Sequence, residues 1–157
     1  AVFTRARKDG IPTVLDADLG AREVLPELLA ITDYAIFSAP ALREFAPGAD
    51  DDARLEHVLS FGVLHAGVTL GADGYRWQER GGGGAMAAPK VDVLDTTGAG
   101  DAFHGAFCLM LAEGMPVPEC VRAAVQVAAM KCTRLGGRSG LPRRAELDRL
   151  LGTGTGT

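Results

Sequence analysis

Short apolar runs alternate along this chain with longer segments in which apolar residues recur every three or four positions. The short runs predict strands at 13–15, 34–37, 63–70, 75–79, 85–89 and 91–94. The longer segments predict helices at 1–8, 24–31, 39–45, 53–61, 102–112, 118–134 and 143–151. Ser38 is the expected N-cap of the helix at 39–45. This alternation predicts an α/β fold with a mostly parallel sheet, helices on both of its faces and a hairpin between Leu70 and Pro89.

The stretch from 91 to 107 combines a strand, a glycine turn and a helix start, reading V-D-V-L-D-T-T-G-A-G-D-A-F-H-G-A-F. Gly98, Ala99 and Gly100 carry little or no side chain where the backbone must approach something closely. The free N–H groups and the dipole of the following helix make such a turn an anion site. Asp101 alone would be a favourable helix cap. Directly after this turn, it places a carboxylate at the rim of the anion site.

Phosphoryl transfer to an alcohol needs this combination, because a base must meet the hydroxyl where donors surround the transferring oxygens. Two other nucleotide motifs are excluded. A dinucleotide fingerprint needs a glycine where Phe103 stands, and no Walker P-loop string occurs. Asp101 is therefore the candidate base. His57, His65 and His104 are interpreted as structural, although His104 lies one turn after Asp101 and could border the site.

Composition narrows the class of protein. With 157 residues, of which 47% are apolar and 23% charged, the chain has the size and balance of one soluble globular domain. The net charge of −4 and the lack of a basic patch argue against a general nucleic-acid binder. No apolar run reaches the length of a membrane span, no signal peptide begins the chain, and the three cysteines lack metal-ligand spacing. These features predict a cytoplasmic protein with reduced thiols.

Two further glycine loops, at 71–74 and 136–140, could converge with the turn at 98–100 at one end of the sheet. The loop that begins at Thr69 is, on its own, most simply a hairpin turn. Asp95 and Thr97 are either turn-forming residues or oxygen ligands for a monovalent cation, together with backbone carbonyls. The segment 1–8 has the composition of the end of a helix, which predicts that an N-terminal portion is missing.

The segment D-T-T-G-A-G-D at 95–101, with A-F-H-G-A-F behind it, resembles the second signature of the PfkB (ribokinase-like) sugar kinases. T-L-G-A-D-G at 69–74 is similar to the nucleotide-phosphate turn of that family, and K-C-T-R-L-G-G-R-S-G-L-P at 131–142 to its C-terminal nucleotide and cation loop. The resemblance implies a ribokinase-like three-layer αβα sandwich. Residues 1–151 would be the C-terminal, nucleotide-binding and catalytic part of a single kinase domain, followed by a flexible tail at 152–157.

The resemblance also implies roles for individual residues. Asp101 would be the catalytic base, and the anion hole would be formed by Gly98, Ala99 and Gly100. The nucleotide would be held by Thr69, Gly71, Gly74, Gly100, Ala129 and Cys132. A potassium ion would be held by Asp95, Thr97, Lys131, Arg134, Gly136 and Gly140, the last four through their backbone carbonyls.

The sequence departs from the family pattern at two places. The N-x-x-E motif, which organises magnesium and phosphate in the family, falls on S-A-P-A at 38–41, so the usual arrangement around the metal is not expected. Val125 stands where some members have an adenine-contacting Asn, which implies a more apolar adenine pocket. Within the family, the segments 13–18, 37–40 and 131–140 look most like those of bacterial sulfofructose kinases, and next like those of ketohexokinases.

The leading hypothesis is an ATP-dependent kinase that acts on a hydroxyl of a sugar, either a ketose or a sulfofructose-like derivative, with Mg²⁺ and K⁺ as accompanying ions. Its partners would be the sugar and ATP, with neither nucleic acid nor membrane, and a homodimer is compatible with the resemblance. Two alternatives stay open. One is a non-catalytic nucleotide-binding fragment or regulator, because the metal motif is missing; the other is a nucleoside or vitamin kinase of the same superfamily.

Overall fold

The computed structural model describes residues 2–20 and 22–152. Apart from Gly152, which ends the last helix, the tail expected at 152–157 lies outside the described residues. The described residues form two compact units. The first contains residues 2–70 and 75–85, and the second contains residues 71–74 and 86–152.

A five-stranded sheet organises the first unit. Its strands are β1 (Val14–Ala17), β2 (Tyr34–Ser38), β3 (His65–Thr69), β4 (Tyr75–Glu79) and β5 (Gly82–Met86), and they lie side by side in that order. The first three strands are parallel, and β4 runs antiparallel to β3. The helices are α1 (Val2–Lys8), α2 (Leu25–Leu29), α3 (Ala39–Phe45) and α4 (Asp51–Leu59). The predicted α/β class and the hairpin after β3 are confirmed.

Local signals account for the helices that follow β2. Ser38 caps α3, since its hydroxyl oxygen accepts the N–H of Ala41 at 3.4 Å. Asp50 caps α4 in the same way, accepting the N–H of Ala53 at 2.9 Å. The apolar side chains of these helices pack against the parallel strands, so that the core includes fully buried side chains at Leu29, Phe37, Leu42, Leu55, Val58 and Val68.

A close contact between β3 and β4 fixes the antiparallel part of the sheet. The Tyr75 hydroxyl lies 2.8 Å from Nε2 of His65, whose Nδ1 lies 3.1 Å from a carboxylate oxygen of Glu79. Gly67 lies beneath the Tyr75 ring, where a Cβ atom would overlap the hydroxyl. The Trp77 ring stacks on that of Tyr75, with centroids 6.0 Å apart. His65 is therefore a buried structural residue.

Three helices form most of the second unit: α5 (Ala99–Ala112), α6 (Val117–Lys131) and α7 (Arg144–Leu151). Alanine side chains on α5 and α6 are buried in this unit, which lets the two helices pack closely. All three cysteines are free thiols; Cys108 is exposed, and Cys120 and Cys132 are buried. None of the helices in the described residues is long and apolar enough to cross a membrane.

Two predicted strands differ most from the structure. Residues 91–94 are not a strand, because the N–H groups of Leu94 and Asp95 both donate to the carbonyl of Cys132, at 2.8 and 3.2 Å. The predicted strand at 85–89 instead begins at Gly82 and ends at Met86. Small residues are needed there, because a Cβ atom on Gly84 would overlap the Trp77 ring.

Candidate active site

The first turn of α5 carries the candidate base. Gly98 is the N-cap in the left-handed conformation, with φ of 75°, which a residue with a side chain adopts only at a cost. The helix then begins at Ala99 rather than at the predicted residue 102, so Asp101 is its third residue. The predicted glycine turn is therefore the beginning of the helix itself.

The N–H groups of this turn differ in their availability. The N–H of Ala99 donates to the carbonyl of Thr96 at 3.0 Å, and the N–H of Ala102 donates to that of Gly98 at 2.9 Å. Between them, Gly100 and Asp101 carry N–H groups that an α-helix leaves without an intrahelical partner. The N–H of Ala99 is thus already used within the turn, and the roles of Ala99 and Gly100 in an anion hole stay predictions.

Asp101 is exposed and lies close to Gly98, because a Cβ atom on Gly98 would be 3.8 Å from its Oδ2 atom. The same Cβ would be 3.4 Å from the carbonyl oxygen of Gly137. Two of the three glycine loops therefore converge, as predicted. One turn along α5, Nδ1 of His104 lies 2.9 Å from the carbonyl oxygen of Gly100, so this imidazole borders the turn.

An open cleft of about 630 Å³ lies beside this helix start and includes Gly98 and Asp101 in its lining. Much of the remaining lining is apolar and comes from α5, α6, α7 and the loop before α7, with side chains of Ala102, Ala106, Leu109, Val127, Leu141, Pro142 and Leu147. The acidic residue of the first helical turn and an apolar wall thus meet in one cleft.

Two arginines that the sequence reasoning did not select also line this cleft. Arg144 is held by Glu113 and, at 2.7 Å, by Asp148, and these carboxylates raise its pKa further. Arg138 forms no ion pair with a carboxylate of the described residues, so its charge is available to a ligand. The loop that carries Arg138 was predicted to approach this turn, but the sequence did not indicate that the side chains of Arg138 and Arg144 would line the cleft, because that depends on how the loop folds onto α5.

Asp95 joins the turn before α5 to the loop after α6. Its Oδ1 atom accepts the N–H of Thr97 at 2.8 Å, and its Oδ2 atom accepts the N–H of Gly136 at 2.7 Å. Hydrogen bonds from the backbone and the side chain of Thr97, followed by that from Gly136 and the charge of Lys131, lower its pKa to about 2. Asp95 is therefore ionised at any physiological pH.

The residues expected to hold potassium make contacts with one another, and their role as ligands stays a prediction. Lys131 is fully buried, and its Nζ donates to the backbone carbonyl of Asp95 at 2.7 Å. The carbonyl of Lys131 accepts the N–H of Arg134 at 3.4 Å, and Gly140 packs so closely on Lys131 that a Cβ atom would be 2.7 Å from its Cα. The Lys131 carbonyl is thus already engaged, and the residue places its ammonium next to Asp95.

The expected nucleotide-binding residues have structural contacts within their own units. Thr69 ends β3 and donates its hydroxyl to the carbonyl of Phe37 at 3.3 Å. Gly71 begins a short 3₁₀ turn, and Gly74 lies against residues 86–88, where a Cβ atom would be 2.6 Å from the Ala88 nitrogen. Ala129 and Cys132 are buried near the end of α6. Their roles toward a nucleotide stay predictions.

The positions that depart from the family pattern have structural roles. Ser38, at the start of the missing N-x-x-E motif, caps α3 and donates its hydroxyl to Asp18 at 2.9 Å. The hydrogen bond from the N–H of Leu19 and, to a smaller extent, this bond from Ser38 lower the pKa of Asp18. Val125 is buried on α6. Within the described residues, no three His, Cys, Asp or Glu side chains are grouped to hold a metal ion.

Comparison with known proteins places the chain in a family. Residues 1–144 match the model of the pfkB family carbohydrate kinases. A ribokinase of Schizosaccharomyces pombe is 38% identical over 155 residues, covering 91% of this chain and 48% of that protein. The chain spans about half the length of the curated relatives it matches.

Solved structures agree with this assignment. A putative ribokinase from Agrobacterium tumefaciens is 34% identical with a TM-score of 0.88, and the match covers 96% of this chain and 50% of that one. The Arabidopsis thaliana ribokinase complexed with ribose and ATP is 26% identical with a TM-score of 0.82, covering 96% and 50% of the two chains. The ribokinase-like α/β fold expected from the sequence is confirmed.

Proposed function

This chain belongs to the pfkB family of carbohydrate kinases, and we propose that the complete protein transfers the γ-phosphate of ATP to a hydroxyl of a sugar. The observation that carries the proposal is the position of Asp101. It lies in the first turn of α5, beside a left-handed Gly98, and it lines an open cleft. A base and an anion site thus occur together, as an alcohol acceptor and a phosphoryl group require.

Asp101 would accept the proton of the attacking hydroxyl. The N–H groups of Gly100 and Asp101, with the dipole of α5, would stabilise the charge that develops on the transferring phosphoryl oxygens. Arg138 could add a fixed positive charge on the same side. Magnesium bound to the nucleotide would neutralise phosphate charge, although residues 38–41 offer no carboxylate to organise it.

Three classes of acceptor are proposed, in order of support. The relatives described above are ribokinases, which supports a pentose of the ribose type as the first candidate. The narrower resemblance to sulfofructose kinases and ketohexokinases supports a ketose derivative as the second. A riboside or vitamin acceptor is the third possibility. We also propose a cytoplasmic location and a homodimer. Gel filtration of the complete protein would test the homodimer.

A substrate panel tests this proposal. We expect the complete protein to release ADP from MgATP in the presence of at least one of ribose, fructose, sulfofructose and a riboside, measured by a coupled assay. Saturable release with ribose alone would favour the ribokinase-type acceptor, and release with sulfofructose alone would favour the second candidate. If no acceptor on a broader panel is phosphorylated while calorimetry still detects ATP binding, the non-catalytic alternative becomes the better explanation.

A second prediction concerns Gly100. Its Cβ position is open and its φ is not positive, so Gly100→Ala should raise helix stability and increase the Tm by about 2 °C. The same methyl group would stand next to the N–H that must reach the phosphate. We therefore expect kcat/KM to fall at least about tenfold, since a displaced anion donor costs at least that much.

Gly105→Ala on the same helix is the control for the change in Tm, because its Cβ position is open as well and it measures the gain from helix propensity; it does not control the kinetics, because Gly105 also lines the cleft. Thermal unfolding and steady-state kinetics check both quantities. Unchanged kcat/KM in Gly100→Ala would show that no phosphate approaches this backbone.

A further inference from the structure

We infer that the ammonium of Lys131 is a built-in substitute for a monovalent cation, so that this protein keeps its candidate site in place without potassium. Lys131 is fully buried, and its Nζ lies 2.7 Å from the backbone oxygen of Asp95 and 3.9 Å from Oδ2 of the same residue. Asp95 is one of the six residues that the sequence resemblance assigns to a potassium site. Its oxygens face a nitrogen cation instead.

Electrostatics explains why this ammonium can be buried. A buried cation is costly unless it is paired and hydrogen-bonded, and Asp95 supplies both an anionic carboxylate and a carbonyl. The carboxylate is itself oriented by N–H groups of Thr97 and Gly136, so it cannot turn away from the ammonium without breaking those bonds. Both of these neighbours of Nζ are oxygen atoms, the type of ligand that hard cations take in proteins.

Packing excludes an additional ion from the same place. The carbonyl of Lys131 accepts the N–H of Arg134, and Gly140 is packed against its backbone. A second positive charge close to Nζ would be repelled strongly, because the ammonium is fully buried and poorly screened. One positive charge is enough to balance Asp95, and Lys131 provides it.

The consequence reaches the candidate base. Asp95 holds the turn before α5 to the loop after α6, and the ammonium holds the backbone of Asp95. A tethered cation cannot dissociate, so the start of α5 would be insensitive to the ion content of the solution. This inference rests on the proposed function only where it concerns the turnover of the kinase. The replacement of a potassium ion by the Lys131 ammonium concerns the fold and does not depend on that function.

The first test uses the unmodified complete protein. Its Tm is measured in potassium chloride and in tetramethylammonium chloride at equal ionic strength, since the larger cation cannot enter a site of this kind. We expect the two values to agree within about 1 °C. A saturable gain of roughly 3 °C or more in potassium would show a potassium site and would overturn the inference.

Variants of Lys131 supply the second test. Lys131→Ala opens space beside Asp95, so we expect a lower Tm in tetramethylammonium and a saturable recovery of roughly 3 °C or more in potassium. Lys131→Met fills the space without a charge, and potassium should not restore its Tm. The exposed Lys90→Ala is the matched control and should respond to neither salt.

The outcomes are separable from the fate of the proposed function. If Lys131→Ala gains no more from potassium than from tetramethylammonium, the ammonium does not occupy a cation site and the inference fails. If the variants do not fold, the comparison of salts on the unmodified protein decides. Absence of turnover in every buffer would count against the proposed kinase activity and would leave the Tm comparison unaffected.

Discussion

Replacing Asp101 by Asn should lower kcat at least about 10³-fold, within the range that general-base catalysis contributes. Asn has nearly the same shape and can occupy the same place in the first turn of α5, so the fold should be preserved. It cannot take a proton from a hydroxyl, and it removes the negative charge beside Gly98. We therefore expect the Kd for ATP, measured by calorimetry, to change by less than about threefold, because the effect is confined to the chemical step.

The matched control is Asp92→Asn, which changes an exposed carboxylate in the segment before the turn and should leave kcat unaltered. Both variants are compared in the complete protein with the acceptor that the panel identifies. If Asp101→Asn retains turnover within about tenfold, equivalent to about 1.4 kcal/mol, Asp101 is not the base. A parallel loss of ATP binding would point to a role for its carboxylate in the ground state.

Gly67→Ala should strongly destabilise the sheet. The new Cβ would overlap the hydroxyl of Tyr75, a side chain that is 1% exposed and bound to His65, so neither group can move aside. Overpacking of this kind costs about 3 kcal/mol of unfolding free energy. Urea unfolding followed by far-UV circular dichroism would measure the loss.

Two further variants make that measurement specific. Gly81→Ala adds the same methyl group in open space and should change the unfolding free energy little. Tyr75→Phe removes the overlapping hydroxyl, so combining it with Gly67→Ala should cost less than the sum of the two single changes. Strict additivity in this cycle would show that the ring and the glycine do not meet.

Patterns that act over a few residues predicted structure well. The alternating segment from Tyr75 to Glu79 forms a strand with the predicted bounds, and α3 begins after its predicted cap, Ser38. Both outcomes depend on neighbours in the sequence. The family could also be predicted, because the segment 95–101 and the residues after it form a long and specific pattern, and the match to the pfkB family confirms it.

Features decided by distant residues could not be predicted. Residues 91–94 have the composition of a strand, but the carbonyl of Cys132 takes the N–H groups of Leu94 and Asp95. The loop at 136–140 was predicted to approach the turn at 98–100, but which of its side chains lines the cleft depends on how the loop folds onto α5, and that side chain is Arg138. The same limit applied to Lys131. Its sequence position suggested a carbonyl ligand, whereas tertiary packing directs its ammonium to Asp95.

The single tryptophan of the chain, Trp77, lies in β4, almost fully buried and stacked on Tyr75. Within this chain, tryptophan fluorescence therefore reports on the first unit alone. An emission shift during denaturation would follow the loss of the sheet and say nothing directly about the helices that carry Asp101. Cys108 offers the complement, because it is the exposed thiol of the three and lies on α5, seven residues after Asp101. A dye attached to Cys108 would let the two units be observed separately in one sample. Labelling needs alkaline pH, because partial burial of the side chain raises the pKa of this thiol.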